Sequence, residues 1–269
     1  MTKTISFIGA GNMAYALVQG LQSGGNQSWQ ICVADPFPEQ LEKYSATAAT
    51  TFVDNNEAIQ GADVVVLAVK PQVASGVVSE LSLQPQQLLI SIAAGINITS
   101  LQAWTHPEQA IIRCMPNTPA LIQAGATGLL ANDHATQDQR ALAEQILAAV
   151  GTSLWVNSEA NLDAVTAVSG SGPAYFFLLM ESMVNAGVEL GLTRSEATQL
   201  TLQTAYGAAR MAQQSEEEPA TLRHNVTSPG GTTAAALAVM QEGLLPETIQ
   251  RALGAANQRA AELAEEFGS

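Results

Sequence analysis

Phe7-Ile8-Gly9-Ala10-Gly11-Asn12-Met13-Ala14 carries two glycines and an alanine in the spacing G-x-G-x-x-A, close to the start of the chain. The motif directly follows an apolar run, Thr4–Ile8, and opens a helical pattern, so its setting is strand, tight turn, helix. There Gly9 permits the turn, Gly11 lets the backbone approach a pyrophosphate, and Ala14 allows close helix–strand packing. Asn12 and Met13 fall in the first helical turn, where unpaired amides and the positive end of the dipole suit phosphates. An ordinary glycine turn would need no ligand. The strand–turn–helix context favours a dinucleotide.

Outward from that motif, strand-like runs and helical segments alternate as far as residue 157. Further strands are expected at Gln30–Ala34, Val64–Ala68, Leu88–Ile92, Ala110–Met115, Ala126–Ala131 and Thr152–Val156. Continuous apolar runs such as VVVLAV at 64–69 suit parallel strands buried on both faces. The alternation predicts βαβ units in a Rossmann-type doubly wound sheet over residues 1–157. From 158 to 269 only helices are expected, at 159–168, 173–190, 195–213, 232–242 and 246–266. TRSE at 193–196 reads as a capping box, and Pro173 and Pro246 sit where a first helical turn tolerates a missing N–H. The helix from Pro173, beginning AYFFLLM, is apolar on nearly every side. It is expected to be central and buried, in a domain whose core a second subunit can complete.

The 269 residues are 47% hydrophobic and 13% charged, which points to globular domains with real cores. A net charge of −14 argues against a nucleic-acid partner, because that footprint needs clustered Lys and Arg. Lysine occurs only as Lys3, Lys43 and Lys70. Cys32 and Cys114 sit in β-like apolar runs and read as buried free thiols. His106, His134 and His224 fit no zinc spacing, so no metal is expected. The N-terminus runs straight into a strand without a signal-peptide pattern, and the apolar stretch Ala174–Met180 is too short to span a bilayer. The expectation is a soluble cytoplasmic protein with no membrane partner.

More candidate cofactor residues lie at strand ends. Asp35, closing Val33-Ala34-Asp35-Pro36, stands where an acidic residue bonds the ribose 2′-hydroxyl of NAD. No Arg or Lys occurs between Ile31 and Glu42, which by itself favours NADH; alternatively, Asp35 only starts a turn with Pro36. Ala68-Val69-Lys70-Pro71 ends a buried strand at the sheet's carboxyl edge, where open α/β sheets bind ligands. The small residues of Ser91-Ile92-Ala93-Ala94-Gly95 suit close passage of a nicotinamide, and packing alone would also use them.

A nucleotide-binding half followed by helices occurs in several dehydrogenases. The β-hydroxyacid dehydrogenases place a catalytic lysine on the helix entering the second domain. Here no lysine follows Lys70, which disfavours that reading. The blocks FIGAGNMA (7–14), AVKP (68–71), SIAAG (91–95), RCMPNTPA (113–120), DAVTAVSGSGPAY (163–175) and NVTSPGGTT (225–233) follow one another along nearly the whole length. In these blocks and their order the chain closely resembles the pyrroline-5-carboxylate reductases. The resemblance implies reduction of the cyclic imine 1-pyrroline-5-carboxylate to L-proline with NADPH or NADH, the last step of proline biosynthesis. It also implies a Rossmann domain followed by a helical dimerisation domain, with dimers sometimes assembled into rings. By this family's pattern Asn55 and the AVKP segment lie on the cofactor. SPGGTT holds the substrate, Thr233 matches the threonine near the imine nitrogen, and Glu216 matches an acidic residue near the ring nitrogen. Asp35-Pro36-Phe37 departs from the small hydroxyl or basic residues often found there in NADPH-preferring members, so NADP(H) is expected with NAD(H) plausible.

A substrate with a carboxylate needs donors. A helix entrance supplies them through the amides of Gly230, Gly231, Thr232 and Thr233 together with the Ser228 hydroxyl, while Pro229 fixes the turn. A Ser-capped helix without a ligand would have a similar sequence. Ser169-Gly170-Ser171-Gly172-Pro173 reads equally as a hinge or as a capped helix start, and Met115–Pro119 as a polar turn bordering the cofactor. Two other classes share part of the pattern. A dinucleotide sensor lacks a use for SPGGTT, and a structural dimer module lacks a use for the glycine fingerprint.

Overall fold

In a computed structural model of the chain, residues 2–24 and 29–268 are described. Strands β1 (Lys3–Ile8), β2 (Trp29–Ala34), β3 (Thr50–Phe52), β4 (Val64–Leu67), β5 (Leu88–Ser91), β6 (Ile111–Met115), β7 (Gly125–Ala131) and β8 (Gly151–Trp155) form one sheet. Their order is β3-β2-β1-β4-β5-β6-β7-β8. Side-chain alternation gives the central strands two apolar faces. Val64, Val66, Leu88 and Ile90 join Ala14 and Leu17 of helix Asn12–Ser23 and Ala143 and Ile146 of helix Gln137–Ala148. Val65, Leu67 and Leu89 join Ala74 and Val78 of helix Pro71–Glu80 and Leu101 of helix Ile98–Ala103. Burial on both faces is what the continuous apolar runs required.

Two features depart from the expected pattern. β6 and β7 pair antiparallel, while the other neighbours are parallel. Residues 116–124 between them hold only a 3-10 turn, Thr118–Ile122, whereas a parallel return needs a crossover of about a dozen residues or more. Helix Gln137–Ala148 supplies such a crossover, and β8 returns parallel to β7. The second departure is β3, a short, partly exposed edge strand reading TTF, with no apolar run to announce it.

Short helices Pro38–Leu41 and Asn55–Ala58 lie between the first strands, and after β8 come Glu159–Val165, Gly172–Glu189, Arg194–Gln214, Pro219–Asn225, Thr232–Glu242 and Leu245–Phe267. Thr193 forms the expected box: its hydroxyl accepts from Glu196 N–H at 3.3 Å, and its N–H donates to Glu196 Oε2 at 2.8 Å. Helix Pro219–Asn225 was not expected, being short and polar, although Pro219 at its start is an ordinary helix-opening signal. The expected helix 159–168 ends at Val165 and continues as one π turn, Thr166–Gly170, closed by Ser171 N–H donating to Thr166 O at 2.8 Å. Gly170 is glycine for space, since a Cβ would lie 2.7 Å from Met115 Cε.

Packing divides the chain elsewhere than the expected border at 157/158. One unit comprises Met1–Ser171 with Ala255–Ser269, and the other Gly172–Gly254. Helix Glu159–Val165 belongs with the sheet because Leu162 and Val165 sit on Gly128 of β7. The end of the last helix also returns there. Leu263 and Phe267 press on Gly95, and Ser100 Oγ donates to Gly268 O at 2.7 Å.

In the helical unit, helix Gly172–Glu189 packs against Arg194–Gln214. It is not the buried helix expected from its sequence: Phe176, Phe177 and Leu178 are 63%, 63% and 64% exposed. A helix apolar all round needs neighbours on every side, and the single chain does not supply them.

Gly128 offers a direct test of the sheet–helix fit. An added Cβ would lie 2.8 Å from Val165 Cγ1 and 3.0 Å from Leu162 Cδ1, and Leu162 is fully buried. Gly128→Ala should cost about 1–3 kcal/mol by overpacking. Thermal unfolding should then shift down by roughly 2–4 °C per kcal/mol.

Candidate functional site

β1 lies between β2 and β4, so the strand order reverses beside the glycine motif; open α/β sheets bind ligands at such a crevice. Gly9 N–H donates to Ala34 O at 2.8 Å, and Ala68 N–H donates to Ile8 O at 2.8 Å, tying the three strand ends together. Gly9 adopts φ +100°, and a Cβ there would lie 2.7 Å from Ala68 O. Gly11 takes the extended N-cap conformation, and its missing Cβ leaves open space, with Ala68 O 4.0 Å away. Asn12 and Met13 open the helix above, and Ala14 is fully buried against the sheet. Each residue of the fingerprint thus has the geometry a dinucleotide cradle requires.

Asp35 departs from a simple ribose reader. Its Oδ2 accepts from Ala10 N–H at 2.9 Å and its Oδ1 from Phe37 N–H at 3.0 Å. The carboxylate therefore braces the glycine loop and starts the turn with Pro36. Each oxygen still has a second lone pair for a hydroxyl. The fully buried Tyr44 packs edge-on against Tyr15 at 5.3 Å, and its hydroxyl reaches Gly11 O at 3.4 Å. Burial and the Asp35 charge push the Tyr44 phenol up, so it stays protonated and a donor. Lys43 lies over both rings. It sits one residue beyond the cation-free segment ending at Glu42, and the fold carries it back to this place.

The other expected cofactor residues occupy the same carboxyl edge. Val69 flanks Gly9, Lys70 is an exposed N-cap, and Pro71 begins the helix after β4. Ala93, almost fully buried, follows β5. Asn55 begins a short helix whose cap is Asp54, and Asn55 Oδ1 is buried without a hydrogen-bond partner. An orphaned buried acceptor at this edge is the mark of a missing donor. With the Gly9–Gly11 cradle, it is compatible with a dinucleotide, whose hydroxyls are donors.

Sequence reading missed a buried ionic group beneath the loop after β5. Arg113 on β6 is almost fully buried and pairs with Glu159. Glu159 Oε1 also accepts Ile98 N–H at 2.7 Å, which anchors the end of that loop. Asp163, one turn later, is 8% exposed, and its Oδ1 has no partner. Burial pushes its carboxyl up against the opposing pull of Arg113, with Glu159 adding to the rise. Nearby, Asn117 is committed to structure: Nδ2 donates to Ser169 O at 3.0 Å, and Oδ1 accepts from Ala126 N–H at 2.8 Å. Cys32 and Cys114 are free and buried, and burial pushes both thiols up, so neither is a nucleophile.

In the helical unit, Ser228-Pro229-Gly230-Gly231 turns into helix Thr232–Glu242. Gly230 has φ +70°, a conformation suited to glycine. Gly231 N–H donates to Ser228 O at 3.0 Å, so this amide closes the turn and leaves the expected donor set. The Thr232 and Thr233 amides belong to the first turn, where no intrahelical acceptor exists. Ser228 and Thr232 are exposed and Thr233 is half-buried. Glu216 is exposed in the connection before helix Pro219–Asn225. A cavity of about 260 Å³ lies on another part of the same helix, lined by Arg223, His224, Thr227, Ala234, Leu237, Ala238 and Gln241. None of the expected substrate residues borders it. Among the described residues, no cluster of three or more His, Cys, Asp or Glu could hold a metal, and no helix is long and apolar enough to cross a membrane.

The reversal of strand order and the glycine cradle give the sheet unit the form of a dinucleotide-binding Rossmann domain, and the family matches make it an oxidoreductase. Residues 4–95 match the family described as NADP oxidoreductase coenzyme F420-dependent, and residues 159–263 match pyrroline-5-carboxylate reductase dimerisation. A pyrroline-5-carboxylate reductase of Pseudomonas aeruginosa is 53% identical over 99% of both chains. The solved structure of one from Coxiella burnetii superposes with TM-score 0.92 at 44% identity, covering 98% of this chain and 99% of that one. One from Plasmodium falciparum, with NADP bound, gives 0.86 at 30% identity over 97% and 98%. The chain belongs to the pyrroline-5-carboxylate reductase family.

Two substitutions separate the roles in the sheet unit. Asn55→Ala removes an acceptor that has no internal partner, so apo stability should hold or rise. Dinucleotide affinity should fall about three- to tenfold by calorimetry. Asp163 has a folded pKa raised above its unfolded value, so its contribution favours folding at low pH and is lost as pH rises through the folded pKa. Asp163→Asn should therefore raise the Tm near neutral pH, with the gain vanishing below the ordinary carboxylate range.

Proposed function

We propose that the chain performs the reaction of its family, reducing the C=N bond of 1-pyrroline-5-carboxylate to give L-proline, the last step of proline biosynthesis. The hydride goes to the imine carbon and a proton to the nitrogen, leaving a secondary amine. The reduced nicotinamide, when bound, supplies the hydride. The sheet unit holds it through Gly9, Gly11, Asn12, Met13, Asp35, Asn55, Ala68, Val69, Lys70, Pro71 and Ala93. NADPH is supported by the NADP oxidoreductase match, and NADH by the acceptor capacity of Asp35.

The observation that carries the substrate reading is the Ser228–Thr233 turn. It offers first-turn amides and two kinds of hydroxyl without a charged side chain, which is the chemistry a carboxylate needs beside an uncharged ring. Thr232, Thr233, Gly230 and Ser228 bind the substrate, with Gly231 shaping the turn. Thr233 orients or relays the proton at nitrogen, because a threonine hydroxyl is too weak an acid to hold one for transfer. Glu216 is assigned to the ring nitrogen by its match to the family's pattern. The reaction is otherwise one of positioning, which is worth several kcal/mol.

The exposed apolar faces of the helical unit, Phe176, Phe177 and Leu178 among them, support a homodimer, and a larger ring of dimers is its extension. Two buried free thiols suit the reducing cytoplasm.

Loss of nicotinamide absorbance with pyrroline-5-carboxylate and either NADPH or NADH is the direct assay. A folded sample that binds dinucleotide yet turns over neither mixture would be a sensor and not a reductase. Thr233→Ala should lower kcat by about ten- to a thousandfold while leaving dinucleotide affinity unchanged. An unchanged kcat removes Thr233 from the chemistry.

A further inference from the structure

We infer that Lys43 receives the 2′-phosphate of a phosphorylated dinucleotide, so that the choice between NADPH and NADH is made by Asp35 and Lys43 together. This rests on the nicotinamide reading above and deepens it.

An acidic residue at the end of β2 ordinarily disfavours a 2′-phosphate, because the hydroxyl it would bind is replaced by a dianion. Here the carboxylate is committed first to the protein. Both Asp35 oxygens already accept backbone N–H groups, from Ala10 at 2.9 Å and Phe37 at 3.0 Å, which disperses part of its charge. The cation comes from the 3-10 turn Glu42–Ala46. Lys43 Nζ lies 5.9 Å from the centroid of Tyr15 and 5.7 Å from that of Tyr44. Tyr44 is tied to the glycine loop by its hydroxyl, which reaches Gly11 O at 3.4 Å, and its ring packs edge-on at 5.3 Å against Tyr15, which stands in the first turn of the helix that this loop opens. The ammonium is therefore positioned relative to the phosphate cradle itself.

Lys43 is also not spent elsewhere. Among the described residues it enters no ion pair, although burial lowers its affinity for a proton and the field of Asp35 raises it. An ammonium resting on ring faces keeps N–H donors for an anion. The other lysines stand elsewhere: Lys3 pairs with Asp63 at 3.5 Å, and Lys70 follows β4, on the far side of β1 from Asp35 at the end of β2. In a chain of net charge −14, a dianionic group needs such a local cation. NADH loses nothing by it, because its 2′-hydroxyl has the spare lone pairs of Asp35.

Equilibrium binding to the full chain tests this without turnover. Calorimetry with 2′-phospho-ADP-ribose and with ADP-ribose would compare the wild type, Lys43→Met and Lys43→Arg. Met keeps an apolar stem on the rings and removes the charge. Lys43→Met should weaken 2′-phospho-ADP-ribose about tenfold or more and shift ADP-ribose less than about twofold, with Lys43→Arg restoring the difference. Equal weakening of both ligands, or an unchanged ratio, overturns the inference and leaves the cofactor reading standing. If neither ligand binds the folded wild type, the cofactor reading itself falls and this inference falls with it.

Discussion

The close approach of the first turn to the end of β4 sets the frame for the sheet unit. Gly9 turns with φ +100° where any side chain would meet Ala68 O. The contact holds three strand ends in register at the place where the strand order reverses. It aims the following helix so that its first amides stand free above the sheet. Asp35 then braces the loop from β2, and Tyr44 reaches its Gly11 carbonyl from the next turn. Glycine takes this conformation without a steric penalty, and any side chain there would push β1 and β4 apart at their ends.

A second constraint works further along the edge. Arg113 is buried in β6, and its charge is matched by Glu159 from the helix beyond β8. Removing Glu159 would leave the buried Arg113 charge unpaired, whereas Glu159, 36% exposed, keeps contact with water. The same carboxylate takes the Ile98 amide, so one side chain couples the loop after β5 to the helix leading into the second unit. Leu263 and Phe267 fill the space against Gly95 in the same loop.

Much of this architecture was legible in the chain. Long apolar runs identified the central strands to within a residue or so, because their burial on both faces leaves no alternative pattern. The fingerprint was legible because its glycines obey local geometry. What escaped was set by neighbours distant in sequence. The direction of β7 follows from a connection too short for a crossover, and TTF at 50–52 becomes a strand only because β2 offers an edge. Asp35 was read as a ligand residue, but its partners Ala10 and Phe37 are visible only once β1 and β2 lie side by side. Lys43 was passed over because proximity was judged along the chain. In the helical unit, SPGGTT signalled a helix entrance, yet only the fold shows that the Gly231 amide closes the turn. The helix from Gly172 is as apolar as its sequence reads, yet within the single chain Phe176, Phe177 and Leu178 stay exposed, because burial on every side depends on surfaces this chain does not provide.

The sheet unit is discontinuous in sequence, ending with the last fifteen or so residues of the chain, which pack against the Gly95 loop and Ser100. Those residues are made only after all eight strands. The sheet can therefore form while one wall of the loop after β5 is still missing. A substitution at Leu263 or Phe267 would carry its defect to a part of the molecule encoded far earlier.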